Sequence, residues 1–400
     1  MKYHPFLLLA TSLSFAIIFT SSCSEDGNVI DSIHNSGASD VWDGRINTSW
    51  YKSSQKEFTL TTAQQLAGLA KLVNDDNNFA GKTIKLGKDI YLSNIEWAPI
   101  GNCDFGFTGI FDGNGYKIIG VSVNNPDSAC QGLFGGLDYS GEIKKLGVVD
   151  SYIKGLEFVG GLAGYNNGKI SDCYFTGNVA GDSVIGGFVG NNNEGTINRS
   201  YSMGAISGLY QTGGFVGTND GEISNSYSTA AVSGDSIVGG FVGVNFVEIS
   251  NSYSTGTVRG DTVVGGFVGW NNVASTMSDN YSTGRVSGYI NVGGFVGFNS
   301  GEISNSYSTG TVSGLAGISK TPVVLGGFAG GNRTGIGSII SNSYYDKEKN
   351  SQIENYGGTG KTTAQMKEQA TYIDWDFSKI WGLNSTINSG YPYLRSVVGR

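Results

Sequence analysis

A pentapeptide, Gly-Gly-Phe-Val-Gly, recurs along this chain at a nearly constant interval. It begins at Gly186, Gly213, Gly239, Gly265 and Gly293, with variants at Gln131 (QGLFG), Gly160 (GGLAG) and Gly326 (GGFAG). The steps between successive starts are 29 (160−131), 26 (186−160), 27 (213−186), 26 (239−213), 26 (265−239), 28 (293−265) and 33 (326−293) residues. A period of this size marks a stacked array, in which each unit buries its apolar face only against its neighbours. The unit at 239–264 holds three short apolar stretches, Phe241-Val242, Ile249 to Tyr253 and Thr257-Val258, separated by turn residues. Three strands and three turns in one period suit a coil of a parallel β-helix. A propeller blade needs about 40 residues, and a leucine-rich repeat needs a signature that is missing here. The chain is therefore read as all-β, a β-solenoid with short helical caps at both ends. Glycine supplies 64 of 400 residues and proline only 5, a mix suited to tight turns between short strands.

In such a stack each strand pairs with its equivalent one coil away, so like residues pile into ladders. Phe188, Phe215, Phe241, Phe267, Phe295 and Phe328 form one. Ile170, Ile197, Ile223, Ile249, Met277, Ile303 and Ile340 form a second, and both are expected to face inward. Tyr174, Tyr201, Tyr227, Tyr253, Tyr281, Tyr307 and Tyr344 form a third, whose direction depends on whether the chain bends between Ile249 and Tyr253. A polar ladder stands two residues after each pentapeptide: Asn166, Asn192, Asn219, Asn245, Asn271, Asn299 and Asn332. A side-chain amide can donate to one coil and accept from the other, so this row is read as structural. The recurring glycines are read as corners, needing either positive φ or a backbone too closely packed for a Cβ. Cys103 and Cys130 lie 27 residues apart (130−103), about one coil, which fits either a disulfide or two separate buried thiols. Cys173 falls in the small-residue slot of Ser200, Ser226, Ser252 and Ser306, and packing is its expected role.

The amino terminus reads as a leader. Lys2 supplies a positive charge, Phe6 to Phe19 is nearly all apolar, and Thr20-Ser21-Ser22-Cys23 follows. Small residues before a cysteine resemble the lipobox of bacterial lipoproteins, although that family favours Leu where this chain has Thr20. The resemblance implies lipidation at Cys23 and a Gram-negative outer-membrane lipoprotein, exposed at the cell surface. Ser24-Glu25-Asp26 resembles an acidic export tag. The organisation expected is a signal peptide at 1–22, a polar tether at 23–41, an N-terminal cap with a short helix at 42–82, the solenoid at 83–346 and a C-terminal aromatic cap at 347–400.

Both caps have local signals. Thr62-Ala63-Gln64-Gln65 reads as a capping box, and Leu66, Leu69, Ala70 and Val73 follow at helical spacing, predicting a helix over 62–74 that covers the first coil. Thr362-Thr363-Ala364-Gln365 repeats the tetrad and predicts a second short helix over the last coil, followed by Trp375, Phe377, Trp381, Tyr391 and Tyr393. Gly358-Thr359-Gly360-Lys361-Thr362 is not a phosphate loop, because Asn355 stands where that loop needs its first glycine.

The repeat GGFVGxNxGxIxNSYSTGxVxG resembles the GLUG motif of bacterial surface proteins and of the amino-terminal part of immunoglobulin-A-specific metallopeptidases. The likeness extends upstream through FAGKTIKLGKDIYL, Trp97 to Gly101 and FTGIFDGNG, and downstream to Trp375-Asp376-Phe377, Trp381 and Gly390 to Leu394. It implies a surface-displayed right-handed β-helix. It brings no catalysis with it, because the peptidase relatives act through a separate zinc domain with His-Glu-x-x-His, a string absent from this chain.

The residues themselves point away from an enzyme. Only His4 and His34 exist, one in the leader and one in the tether. Glu222, Glu248 and Glu302 share one repeat slot, and Asp182, Asp235 and Asp261 another, as solvated turn positions do. Asp104, Asp112, Asp346 and Glu348 are off-pattern without forming an evident pair. No cofactor or metal site is read. The formal charge is −8 with no Lys/Arg cluster, which argues against nucleic acid. The expected role is non-catalytic adhesion, with glycan or host or cell-surface protein as partner and the membrane held through the N-terminal lipid. The alternatives are a carbohydrate-processing enzyme with an unrecognised carboxylate pair, or a passive spacer. The slot directly after each pentapeptide varies freely (Tyr165, Asn191, Thr218, Val244, Trp270, Phe298, Gly331) and is expected to be exposed. Trp270 and Phe298, in successive coils, are the expected ligand platform.

Overall fold

The computed structural model describes residues 41–315, 324–333, 337–350 and 356–397; the leader, Cys23 and the tether before residue 41 lie outside them. Among the described residues, the coils build parallel sheets of 17, 16 and 7 strands. One coil shows the plan. Thr262–Gly265 lies in the smallest sheet, Val268–Asn271 and Thr276–Ser278 in the largest, and Tyr281–Ser282 with Val286–Gly288 in the third. Each pairs in register with the next coil, Gly265 with Gly293, Val268 with Val296, Met277 with Ile303 and Tyr281 with Tyr307. The result is a parallel β-solenoid of about ten turns.

The pentapeptide glycines follow from close approach. None has positive φ. A Cβ on Gly239 would lie 1.9 Å from the Val242 carbonyl oxygen, one on Gly240 2.2 Å from the Gly266 oxygen, and one on Gly243 2.5 Å from the Gly217 oxygen. Positive φ falls instead on non-glycine corner residues, Asn251 (49°), Asp279 (57°) and Asn305 (47°) between Ile and Tyr, and Ile237 (57°), Val263 (55°) and Asn291 (53°) just before the pentapeptide.

The Phe and Ile ladders fill the interior. The Phe188 to Phe328 rings are fully buried and stack with centroids 4.7–5.0 Å apart. Each buried ring contributes about 1.5–3 kcal/mol. A separate apolar cluster gathers Val232, Val238, Val258, Val264, Val286, Val292 and Val312. Serines of the third sheet tie across the coil, Ser254 Oγ donating to the Gly266 oxygen at 2.5 Å and Ser282 Oγ to the Gly294 oxygen at 2.6 Å.

The ends differ from the sequence expectation in three ways. The first rung, Glu57–Leu60, pairs with Thr83–Leu86, so the solenoid begins inside the segment read as the N-terminal cap. Helix α1 (Ala63–Asn74) follows that rung as predicted, with Thr62 and Gln65 closing a capping box and Leu66, Leu69, Ala70 and Val73 buried. At the other end the second helix is only a three-residue 3-10 turn, Gln365–Lys367. Its tetrad still closes, Gln65's counterpart Gln365 accepting from the Thr362 N–H at 3.0 Å. Only Met366 is buried there, so a longer helix would have no apolar stripe to bury. Third, Thr359–Lys361 pairs with Tyr344–Asp346 and extends the ladder past residue 346, which also accounts for the phosphate-loop look-alike.

The tyrosine ladder faces outward. Tyr281, Tyr307 and Tyr344 are buried because the C-terminal tail folds back along them and packs Met366, Tyr372, Trp375, Trp381 and Tyr391 onto their rings. The tail thus covers a flank of the last coils as well as closing the end. Trp381 Nε1 donates to Asp279 Oδ1 at 3.0 Å, and the buried Asp346 accepts from Tyr391 OH and Thr363 Oγ1, each at 2.7 Å. Among the described residues no helix is long and apolar enough to cross a membrane.

Candidate functional site

The slot after the pentapeptide carries Val244, Trp270, Phe298 and Gly331 on consecutive rungs, paired in register. Trp270 and Phe298 are half-buried, as are Tyr165 and Asn191, whereas Thr218, Val244 and Gly331 are buried. This corrects the expectation of an exposed row. Seven places before Tyr165, Asn191, Thr218, Val244, Trp270 and Phe298 stands a residue with positive φ, and in two coils its side chain meets the slot: the Phe158 ring meets Tyr165 edge-on at 5.8 Å, and Gln211 Oε1 accepts from Thr218 Oγ1 at 3.1 Å. Phe298 leans toward the next coil, where a Cβ on Gly331 would stand 2.7 Å from its ring.

The neighbouring corner departs from the repeat in the Trp270 coil and in the Val244 coil before it. Elsewhere the ladder asparagine leads into a short polar turn with glycine, as in Asn219-Asp220-Gly221 and Asn299-Ser300-Gly301. One coil has Asn245-Phe246-Val247 instead, and the next has the longer Asn271-Asn272-Val273-Ala274-Ser275. Phe246, Val247 and Val273 are 36%, 38% and 46% exposed. Together with Trp270 and Phe298 they make one apolar corner across three rungs. Trp270 Nε1 reaches Ser300 Oγ at 3.5 Å, which turns the indole toward that corner. The two aromatic rings are legible in the sequence; Phe246, Val247 and Val273 carry a visible signal as well, the loss of the polar, glycine-bearing turn after the ladder asparagine.

The asparagine ladder is a continuous hydrogen-bonded row. Nδ2 of each residue donates to Oδ1 of the next, from Asn166 to Asn192 (2.6 Å), Asn219 (2.8 Å), Asn245 (2.8 Å), Asn271 (3.0 Å), Asn299 (2.9 Å) and Asn332 (3.1 Å). The second amide proton goes to the turn carbonyl, as from Asn192 to Gly195 at 3.1 Å and from Asn219 to Gly221 at 2.9 Å. Asn166 to Asn299 are wholly buried, so they are engaged with each other and with their turns.

The carboxylates do not assemble into an evident acid/base pair. Glu222, Glu248 and Glu302 are exposed, as are Asp182, Asp235 and Asp261. Asp346 and Glu348 come together, but on the tail: Glu348 Oε2 accepts from the Thr363 N–H at 2.9 Å, beside the Asp346 contacts. Cys103 and Cys130 form a disulfide with Cα atoms 5.7 Å apart. Cys173 is buried, and burial pushes its thiol up to about 12, the protonated and unreactive form. Among the described residues no cluster of three or more His, Cys, Asp or Glu could hold a metal ion.

A profile of the GLUG motif matches residues 159–180, 208–233 and 288–313, each spanning the end of one coil and the start of the next. The chain carries GLUG repeats. Halomucin of Haloquadratum walsbyi is 40% identical over 93 residues, which are 23% of this chain and 1% of halomucin. A candidate Gly-rich membrane protein of Evansella cellulosilytica is 34% identical over 96 residues, 24% of this chain and 10% of that protein. The chain thus matches only a small part of either relative. The crystal structure of a candidate immunoglobulin A1 protease from Bacteroides ovatus superposes with a TM-score of 0.46 at 18% identity, over 86% of this chain and 94% of that one.

Proposed function

We propose that this GLUG solenoid is a surface-anchored lipoprotein that binds glycan or protein without catalysis, through the apolar corner at Trp270 and Phe298. The observation that carries the reading is the coincidence of two breaks in the repeat. The adjacent slot-row aromatics Trp270 and Phe298 overlap, at the Trp270 coil, with the two turns that give way to Phe246-Val247 and Val273, while the Phe298 coil keeps its polar Asn299-Ser300-Gly301 turn. Substitutions needed for packing alone would follow the period, whereas these are local and partly exposed. Aromatic rings with an open edge are the usual anchors of such contacts.

Replacing both Trp270 and Phe298 with Ala is expected to remove at least one of the ligands bound on an array of glycans and cell-surface proteins, while the melting curve stays close to wild type. An array profile left unchanged by the double substitution sinks this assignment. Reducing-sugar release from a polysaccharide panel would move the protein to the carbohydrate-processing class, and silence in both assays would leave a spacer. Anchoring is tested separately: Cys23→Ala should move the protein from the membrane fraction to the soluble one.

A further inference from the structure

We propose a second ligand site, four to five rungs from Trp270 in a cleft braced by the Cys103–Cys130 disulfide, that binds a single neutral sugar unit. The cleft arises from a gap in the slot row. Gly136 pairs in register with Tyr165, and a Cβ on Gly136 would lie 2.1 Å from the Asn102 oxygen. The loop around Asn102 therefore lies against the rung where a side chain would stand. A hollow of about 230 Å³ remains, bounded by Asn102, Asp104, Asp138, Tyr139, Tyr165 and Asn167. Phe105 stands on the adjoining hollow.

Three properties select the ligand. First, the rim carries an open aromatic ring: Tyr139 is 63% exposed, so its ring is available to the apolar face of a ligand. Second, the polar groups are mixed. Asn102 Oδ1 accepts from the Asp104 and Phe105 N–H groups, each at 2.9 Å, and Asn167 Oδ1 accepts from Asn193 Nδ2 at 2.8 Å. Both amides thereby keep their NH2 groups as donors, while Asp138 uses one oxygen on the Tyr139 N–H at 2.8 Å and keeps the other as an acceptor. Adjacent hydroxyls donate and accept at once, and match such a set. An ammonium ion would leave the donors unused. Third, the cleft has two carboxylates and no cationic side chain, so anionic sugars are repelled.

The site is also held in shape. The disulfide ties the loop to the next coil, and Asn74 at the end of α1 accepts from the Gly101 N–H at 2.9 Å and donates to the Pro99 oxygen at 3.0 Å. A preformed cleft loses little freedom on binding.

The test uses the full chain on an array of neutral, uronic-acid and sialylated oligosaccharides, followed by calorimetric titration with the methyl glycoside of the neutral sugar retained. Binding of neutral sugars over acidic ones is expected. Tyr139→Ala and Asn167→Asp should each weaken the titrated affinity about tenfold, with unchanged melting curves. The Trp270/Phe298 double variant should retain this binding, which separates the site from the corner. The proposal is overturned by silence toward neutral sugars, by affinities unchanged in both cleft variants, or by titration of N-acetyl-lysinamide in their place.

Discussion

The asparagine ladder shows how much one side chain can be made to do in a repeat. Asn219 receives a proton from Asn192 and gives its own to Asn245 and Gly221, all out of water. Asn219→Ala should strand buried groups on both neighbouring coils, at about 1–3 kcal/mol each. The same change at the half-buried terminal Asn332 should cost less, and chemical denaturation compares the two. Asp279 offers the opposite test. It occupies a positive-φ corner held by Asn225, Asn251 and Asn305 in other coils, and burial raises its carboxyl above 3.8 despite the Trp381 hydrogen bond. A raised acid disfavours folding only where it is charged. Asp279→Asn keeps the acceptor, so it should stabilise by about 0.5–2 kcal/mol at neutral pH. That gain should fade as pH falls through the raised value and be gone below the ordinary carboxylate range, which melting curves from pH 3 to 7 would show. The asparagine row was legible in the sequence because it keeps the period. The half-burial of Trp270 was not, since nothing in a valine signals the positive φ at Val263, seven residues before it.

At the level of elements, the tail and the tyrosine ladder form one unit. Trp381 is fully buried, within 6.2 Å of the Tyr281 ring and 5.9 Å of the Tyr307 ring. Trp381→Ala should cost about 3–5 kcal/mol. The loss should appear as faster hydrogen exchange in the tail and at Tyr281 and Tyr307, while Tyr174 and Tyr201, beyond the tail's reach, stay unchanged. The direction of the ladder could not be read from sequence. In an unbroken strand Ile249 and Tyr253 would point the same way; the corner at Asn251 turns one inward and the other outward. The disulfide was equally open, because a one-coil spacing brings two cysteines close whether or not they bond. The helix over 62–74 was legible because its cap and its apolar stripe agreed. At Thr362 the cap stood alone, and only a single turn formed.

For the molecule as a whole, register is the controlling quantity. Gly239 and Gly265 occupy the same place on successive rungs, 26 residues apart (265−239). Removing residues 239–264 should join Val238 to Gly265 without disturbing any ladder, giving a shorter folded protein by circular dichroism and cooperative melting. Removing 25 residues instead leaves one extra residue for a single turn to absorb, as the 27- and 28-residue coils do, and should lower the melting temperature while the fold persists.

Because the rung-to-rung bonds lie along the long axis, a pull on the two termini would load them one coil at a time. Each 26-residue release would pay out about 90 Å of slack, so the force trace should be a sawtooth of similar teeth. Under oxidising conditions the stretch between Cys103 and Cys130 should withhold its share of that length until a reductant is added. Optical-tweezer traces before and after reduction would read that difference directly.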